Sequence, residues 1–433
     1  MGRPFHIIVV GAGPAGLSTA LSLAQISDAE SPIQVTVLEV RDRIQTLGGA
    51  VNLTPLALRY LDSLGVGEGL RLLGSGVEAI ELVSHRTGGL LGRLWPGVDA
   101  IRVQRQLLVE SMMETIRTLL EEQVKIIFGA KIQTIEESGS PDSQPGFIKV
   151  TYKTPPTTSD TNHVLLLEAD MLIGCDGLHS QVRTQYVEPA RQKTYSGKCN
   201  AYGYSSALTP SESARWLRTD DQPLITDTVL VSKGNDSLLM SYYTQSQDSL
   251  YMAAVMPLED KSGADGSREG WAVHEADKAG LKRDIEATYA GGRLDCLPEI
   301  VNKCDEWFFF PVYMLPPEES GPKAEPCSSA MRPTMPPQGE STGVAIEDGV
   351  LLAHVLTRRT SRTVLQLFSD YEKLRRADID ATYKETMARW NMPVPPGWMS
   401  GFVMEWLTWG YVKFMNLRAD HFGRDVRKLA LPE

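Results

Sequence analysis

Near the start of the chain, Gly11-Ala12-Gly13-Pro14-Ala15-Gly16 follows the apolar, β-branched run Ile7 to Val10 and precedes a stretch of Ala, Leu, Ser and Thr. A glycine turn between a strand and a helix can cradle a pyrophosphate. Gly11 permits the tight turn, Gly13 lets the backbone approach the phosphates, and Gly16 lets helix and strand pack closely. Ala15 lies within the first helical turn, whose N–H groups and dipole end favour an anion. Glu39 stands 23 residues after Gly16 and closes the run Gln34 to Leu38, where its carboxylate can accept two ribose hydroxyls. Strand, turn, helix and acid together predict a dinucleotide site, and leave open whether the ligand is NAD or FAD.

These ligands need a β-α-β unit to position them, and the first 39 residues supply one. Further helices are expected from Thr54 to Gly65 and from about Gln104 to Gln123. Glu136 to Gln144 reads as a hairpin loop between two strands, and the strand-rich Val164 to Cys175 closes on Asp176-Gly177. From about Tyr195 to Pro257 the pattern changes to short alternating runs, such as Ser237 to Tyr243 and Ser249 to Val255. That is the signature of an antiparallel sheet, here a second domain inserted into the first. Glu259 to Glu269 reads as a surface loop, Lys278 to Tyr289 as a helix and Glu306 to Leu315 as a buried strand.

The segment Asp170 to Arg183, centred on Asp176-Gly177, resembles the D-G signature of the FAD-dependent aromatic hydroxylases, the salicylate-hydroxylase-like flavoprotein monooxygenases. Pro336 to Asp348 resembles that family's loop P-x-x-G-Q-G-x-N with A-I-E-D behind it, and Arg105 sits where the family has an FAD-contacting arginine. The resemblance spans about residues 5 to 390. It implies FAD, with Gly11, Gly13, Gly16 and Glu39 on the ADP half, Arg105 at the phosphates and Asp176-Gly177 beside the pyrophosphate and NAD(P)H. The loop carrying Gly339, Ser341, Thr342 and Gly343 would turn backbone N–H groups toward the flavin carbonyl edge. Ser341 replaces the family's Gly and Gly343 its Asn, so a slightly altered flavin position is expected.

The implied reaction uses NAD(P)H and O2 to hydroxylate or epoxidise an aromatic or conjugated small molecule through a flavin hydroperoxide. A flavin oxidase or dehydrogenase is the alternative on the same scaffold. No side chain is singled out as catalytic. Tyr202, Tyr204, Tyr242 and Tyr243 are candidates to line the pocket, against plain sheet packing. The implied fold is α/β: a Rossmann-type FAD-binding domain (1–75, 100–190, 290–360), an inserted antiparallel-sheet substrate domain (76–99, 191–289) and a C-terminal helical tail (361–433).

One family motif, G-D-A-A-H, is missing before the flavin loop, and its Asp would bind the cofactor. Ser320 to Thr334, a Pro-rich string unlike a strand, stands in its place. Read one nucleotide earlier, the same codons permit W-S-K-G-R-A-L-L-L-G-D-A-A-H. A local frame error is therefore expected, entered before Ser320 and left between Thr334 and Met335. If the segment is genuine, a chain unable to hold FAD, and so non-catalytic, becomes the further alternative.

Composition narrows the partners. Lys plus Arg is 43 against 54 Asp plus Glu, a formal charge of -11, the wrong sign for nucleic acid. The 5 cysteines form no C-x-x-C pair and the scattered His6, His179 and His354 no ligand spacing, so neither disulfides nor a metal is expected. A reducing, cytoplasmic location follows. Trp390, Trp398, Trp406 and Trp409 are four of the 8 tryptophans, and Phe402, Trp406, Trp409, Val412 and Lys413 fall at helical spacings. Packing within the assembly is preferred over membrane contact for this tail, because Glu405 and few basic residues stand on its polar side. The oligomeric state is not legible.

Overall fold

The computed structural model describes residues 3–45, 49–138, 147–155, 164–205, 208–234, 236–244, 246–260, 277–304, 306–315, 341–390, 399–418 and 422–433. Its first core is built on a parallel sheet of β1 (Phe5–Val10), β2 (Ile33–Leu38), β8 (Val124–Ile127) and β12 (Met171–Gly174), in the order β12-β1-β2-β8. Ile7, Ile8 and Val9 are wholly buried, as expected of a central parallel strand covered on both faces. Register runs from Phe5 opposite Ile33 to Val10 opposite Leu38, which brings the ends of β1 and β2 level. On one face lies α1 (Pro14–Gln25), buried at every position but its last. The antiparallel β9 (Lys131–Ser138), β10 (Phe147–Lys153) and β11 (Val164–Ala169) extend the same core. Glu136 to Ser138 pair with Phe147 to Lys149, so the expected hairpin loop starts later than its polarity suggested, and 139–146 lie outside the described residues.

A small sheet of β3 (Ala50–Leu53), β4 (Ser75–Val77) and β7 (Ala100–Gln104) joins this core to a second one. The second core carries seven strands in the order β17-β13-β16-β15-β14-β5-β6. They are β5 (Ile80–Ser84), β6 (Leu90–Leu94), β13 (Thr194–Ser205), β14 (Thr228–Lys233), β15 (Asp236–Tyr242), β16 (Leu250–Pro257) and β17 (Glu306–Met314). β17 departs from the expected boundary, which gave 290–360 to the cofactor domain. It pairs with β13, and Trp307 and Phe309 bury with Cys199 and Ala201, so the second unit takes this strand too.

Of the helices, α2 (Pro55–Ser63) starts after Thr54 and stops before Gly65, whose φ of +77° ends the helical path. Next, α3 (Arg105–Leu119) and α4 (Lys278–Tyr289) form close to the expected ranges. Helix α5 (Ser341–Leu356) is buried almost all round and lies so close to α1 that a Cβ on Gly349 would meet Thr19 at 2.7–2.9 Å. Two more helices, α6 (Val364–Trp390) and α7 (Ser400–Leu417), form the tail. Among the described residues, no helix is long and apolar enough to cross a membrane.

Candidate functional site

The turn after β1 is as crowded on one side as it is open on the other. Gly11 has φ +103°, and a Cβ there would lie 2.6 Å from the Cys175 carbonyl oxygen. A Cβ on Gly16 would lie 1.9 Å from the Gly11 carbonyl oxygen. At Gly13 nothing comes within 4 Å of that position, and Gly13 caps α1 without any side-chain hydrogen bond. Pro14 has no N–H, and the amides of Ala15 and Gly16, in the first turn, have no acceptor within the helix.

Glu39 is buried and holds the turn from behind. Its Oε2 accepts from the Ala12 amide at 2.8 Å, and its Oε1 from the Arg41 amide at 3.0 Å. Each oxygen keeps acceptor capacity for a ribose hydroxyl. The parallel pairing of β12 with β1 brings Asp176 to the same edge of the sheet, its Cα 3.0 Å from the Cβ position of Gly11. Its Oδ2 accepts from the Gln181 amide at 2.5 Å, while Oδ1 is buried with no partner among the described residues. Burial raises this carboxyl above its ordinary pKa. Gly177, at φ +75°, has open space where a Cβ would stand.

Arg105 opens α3, with its amide donating to the Gly49 carbonyl at 3.2 Å. Its Nε is buried and unpartnered among the described residues. Burial first, and the charge of Arg41 second, lower its pKa. A buried guanidinium with an unmet donor, near a second arginine, fits a phosphate-bearing ligand. Thr342 is buried and Ser341 exposed at the start of α5. A Cβ on Gly343 would touch Ala57 at 3.4 Å, so Gly343 seats α5 on α2. Gly339 and the segment Ser320 to Thr334 lie outside the described residues.

Opposite β3 and β7, the seven-stranded sheet presents aromatic rings. Tyr202 stacks on Phe308 at 5.3 Å and Phe310 at 5.4 Å between centroids, and Tyr204 meets Tyr243 at 5.0 Å and Tyr251 at 5.4 Å. Burial raises the pKa of Tyr204 and of Tyr251, keeping both phenols protonated as donors. The face meets the cofactor side directly: a Cβ on Gly49 would come within 2.3–2.6 Å of the Tyr251 ring.

A family model described as FAD binding domain matches residues 5–201. The FAD-dependent monooxygenase ntnJ of Nectria sp is 26% identical over 88% of this chain and 84% of its own length. Salicylate hydroxylase of Pseudomonas putida is 24% identical over 86% and 82%. The chain is thus similar to FAD-dependent monooxygenases that include aromatic hydroxylases, and its first half matches their FAD-binding domain. In fold, Klebsiella pneumoniae HpxO, solved with FAD and uric acid, superposes with a TM-score of 0.65 at 18% identity, covering 96% of this chain and 94% of that one.

FAD is the dinucleotide that the matching domain model names, and the residues present fit it: open space at Gly13 and Gly177, unmet buried atoms on Arg105 and Asp176, and an acid that accepts from the turn. Tyr242 is corrected. Strand alternation turns its ring into the second core, away from Tyr243. Sequence reasoning missed Tyr251, which lies opposite Tyr204 in the ladder and was findable from that register. It also missed Arg102, which is buried on β7 and donates to Thr228 Oγ1 at 2.9 Å and the Tyr242 carbonyl at 3.4 Å. Burial pushes this guanidinium down to about 10, so it stays cationic and ties the small sheet to the large one.

Proposed function

We propose that this chain inserts one oxygen atom from O2 into an aromatic or conjugated small molecule, with NAD(P)H as reductant. The observation that carries the reading is the position of the aromatic face, Tyr202, Tyr204, Tyr243 and Tyr251, against Gly49 at the start of β3. Relatives named for salicylate and 6-hydroxynicotinate support a ring as substrate. Bound FAD supplies the transfer of electrons from nicotinamide to O2 and the delivery of one oxygen atom. The chain's own residues do the rest. The turn from Gly11 to Gly16 and Arg105 hold the phosphates, Glu39 orients the ribose, and Asp176-Gly177 border the pyrophosphate. The aromatic rings bind the substrate's π-faces and exclude water, while the protonated phenols of Tyr204 and Tyr251 donate to a substrate oxygen.

The test is oxidation of NADH or NADPH by the FAD-loaded protein, with a panel of phenols and aromatic acids under isotopically labelled dioxygen. A product carrying one labelled oxygen is expected. Peroxide as the sole product, with every panel member recovered unchanged, would move the assignment to an oxidase.

A further inference from the structure

Helix α7 turns its apolar face outward. Phe402 is 63% exposed, Trp406 64%, Trp409 49%, Phe414 58% and Leu417 82%. At 100° per residue, Trp409, Phe402, Trp406, Leu417, Phe414 and Leu407 fill one broad arc, whereas Val412 and Met415 are the residues it buries. The inner side is fastened to the β5–β6 hairpin. Val412 presses on Gly92, Asn416 Oδ1 accepts from the Trp95 amide at 2.8 Å, and Glu405 pairs with Arg86 and Ser84. These contacts fix which face points out, and within one chain these aromatic rings are not packed against the flavin domain.

The charges on this helix have separated by sign. Its one acid, Glu405, faces inward, while Lys413 and Arg418 are exposed beside the rings, Lys413 5.8 Å from the Trp409 centroid and Arg418 5.9 Å from that of Phe414. In a chain of net charge -11, this outward face is apolar, aromatic and cationic. A two-fold contact between copies would set these cations against themselves around one patch. An anionic bilayer receives both parts: the rings enter the headgroup boundary and the cations reach the phosphates.

We propose that α7 is an in-plane membrane anchor that docks the protein on anionic lipid surfaces through Phe402, Trp406, Trp409, Phe414 and Leu417, with Lys413 and Arg418 at the headgroups. The helix is 18 residues long, and with its inner side fastened to β6 it lies along the surface rather than through it.

The experiment is flotation of the purified full chain with phosphatidylcholine vesicles and with vesicles that also contain phosphatidylserine. The chain should float with the second kind, and added salt should weaken it. The exposed double variant Trp406→Ser/Trp409→Ser should stay in the dense fraction at unchanged melting temperature. Lys413→Gln/Arg418→Gln should lower partitioning onto phosphatidylserine vesicles by about tenfold. Absence of flotation with either vesicle would overturn the proposal. So would flotation unaffected by the tryptophan variant, or a concentration-dependent dimer that this variant disperses without any vesicle binding.

Discussion

Asp176 carries two opposed demands. Its buried Oδ1 has no partner among the described residues, and burial holds its pKa above the ordinary value. The folded chain therefore binds this proton more tightly than the unfolded chain does. The stability of cofactor-free protein is greatest below the ordinary carboxyl pKa and falls as pH rises to the raised value. Asp176→Asn removes that cost, so the melting temperature of the cofactor-free protein should rise at neutral pH and the pH slope in that window should flatten. FAD affinity should fall in the same variant, as read by fluorescence titration. Glu39→Ala should weaken FAD by about 1–3 kcal/mol, because it strips the ribose acceptor and frees the Ala12 amide. Unchanged affinity would remove Glu39 from the site. The glycine turn and Glu39 were legible because their chemistry is local in sequence. Arg102 and Tyr251 were not, since their meaning comes from strands that only the fold brings together.

At the scale of elements, α5 is held by a buried ion cluster. Arg375 of α6 donates from Nη1 to Glu347 Oε2 at 2.5 Å and from Nε to Asp348 Oδ1 at 2.6 Å, and Tyr60 of α2 donates to Glu347 Oε1 at 3.2 Å. Burial opposes the Arg375 charge, yet the two carboxylates outweigh it and raise its pKa. Removing this cation leaves the buried Asp348 without an ion partner and Glu347 with only Arg424, 3.7 Å away, so Arg375→Met should cost about 3–5 kcal/mol in urea unfolding. A loss under about 1 kcal/mol would show that the cluster is not coupled to stability. The A-I-E-D string at Ala345 to Asp348 was read for its place beside a flavin loop, and its ion partner 27 residues on went unseen. Alternation revealed the antiparallel sheet, but not that β17 joins it. A buried strand shows only that it is buried, whereas its neighbour is a property of the fold.

For the whole molecule, the pairing of β1 with β2 and β12 brings the glycine turn with Glu39 and the Asp176-Gly177 pair, the two halves of the proposed cofactor site, to one end of the parallel sheet. The missing G-D-A-A-H falls in the sequence just before α5, in a segment outside the described residues. We propose that Ser320 to Thr334 reflects a shifted reading frame, and sequencing the transcript decides it: an in-frame G-D-A-A-H is expected there. The measurement that bears most directly on the account is titration of FAD and NAD onto two purified proteins, the present chain and one carrying G-D-A-A-H in frame. One tightly held FAD per restored chain, not displaced by NAD, is expected, with FAD at least about tenfold weaker on the present chain, a difference of about 1.4 kcal/mol. A restored chain that prefers NAD, or holds no FAD, would contradict the assignment of the site. A present chain that binds FAD as tightly as the restored one would contradict the frame argument.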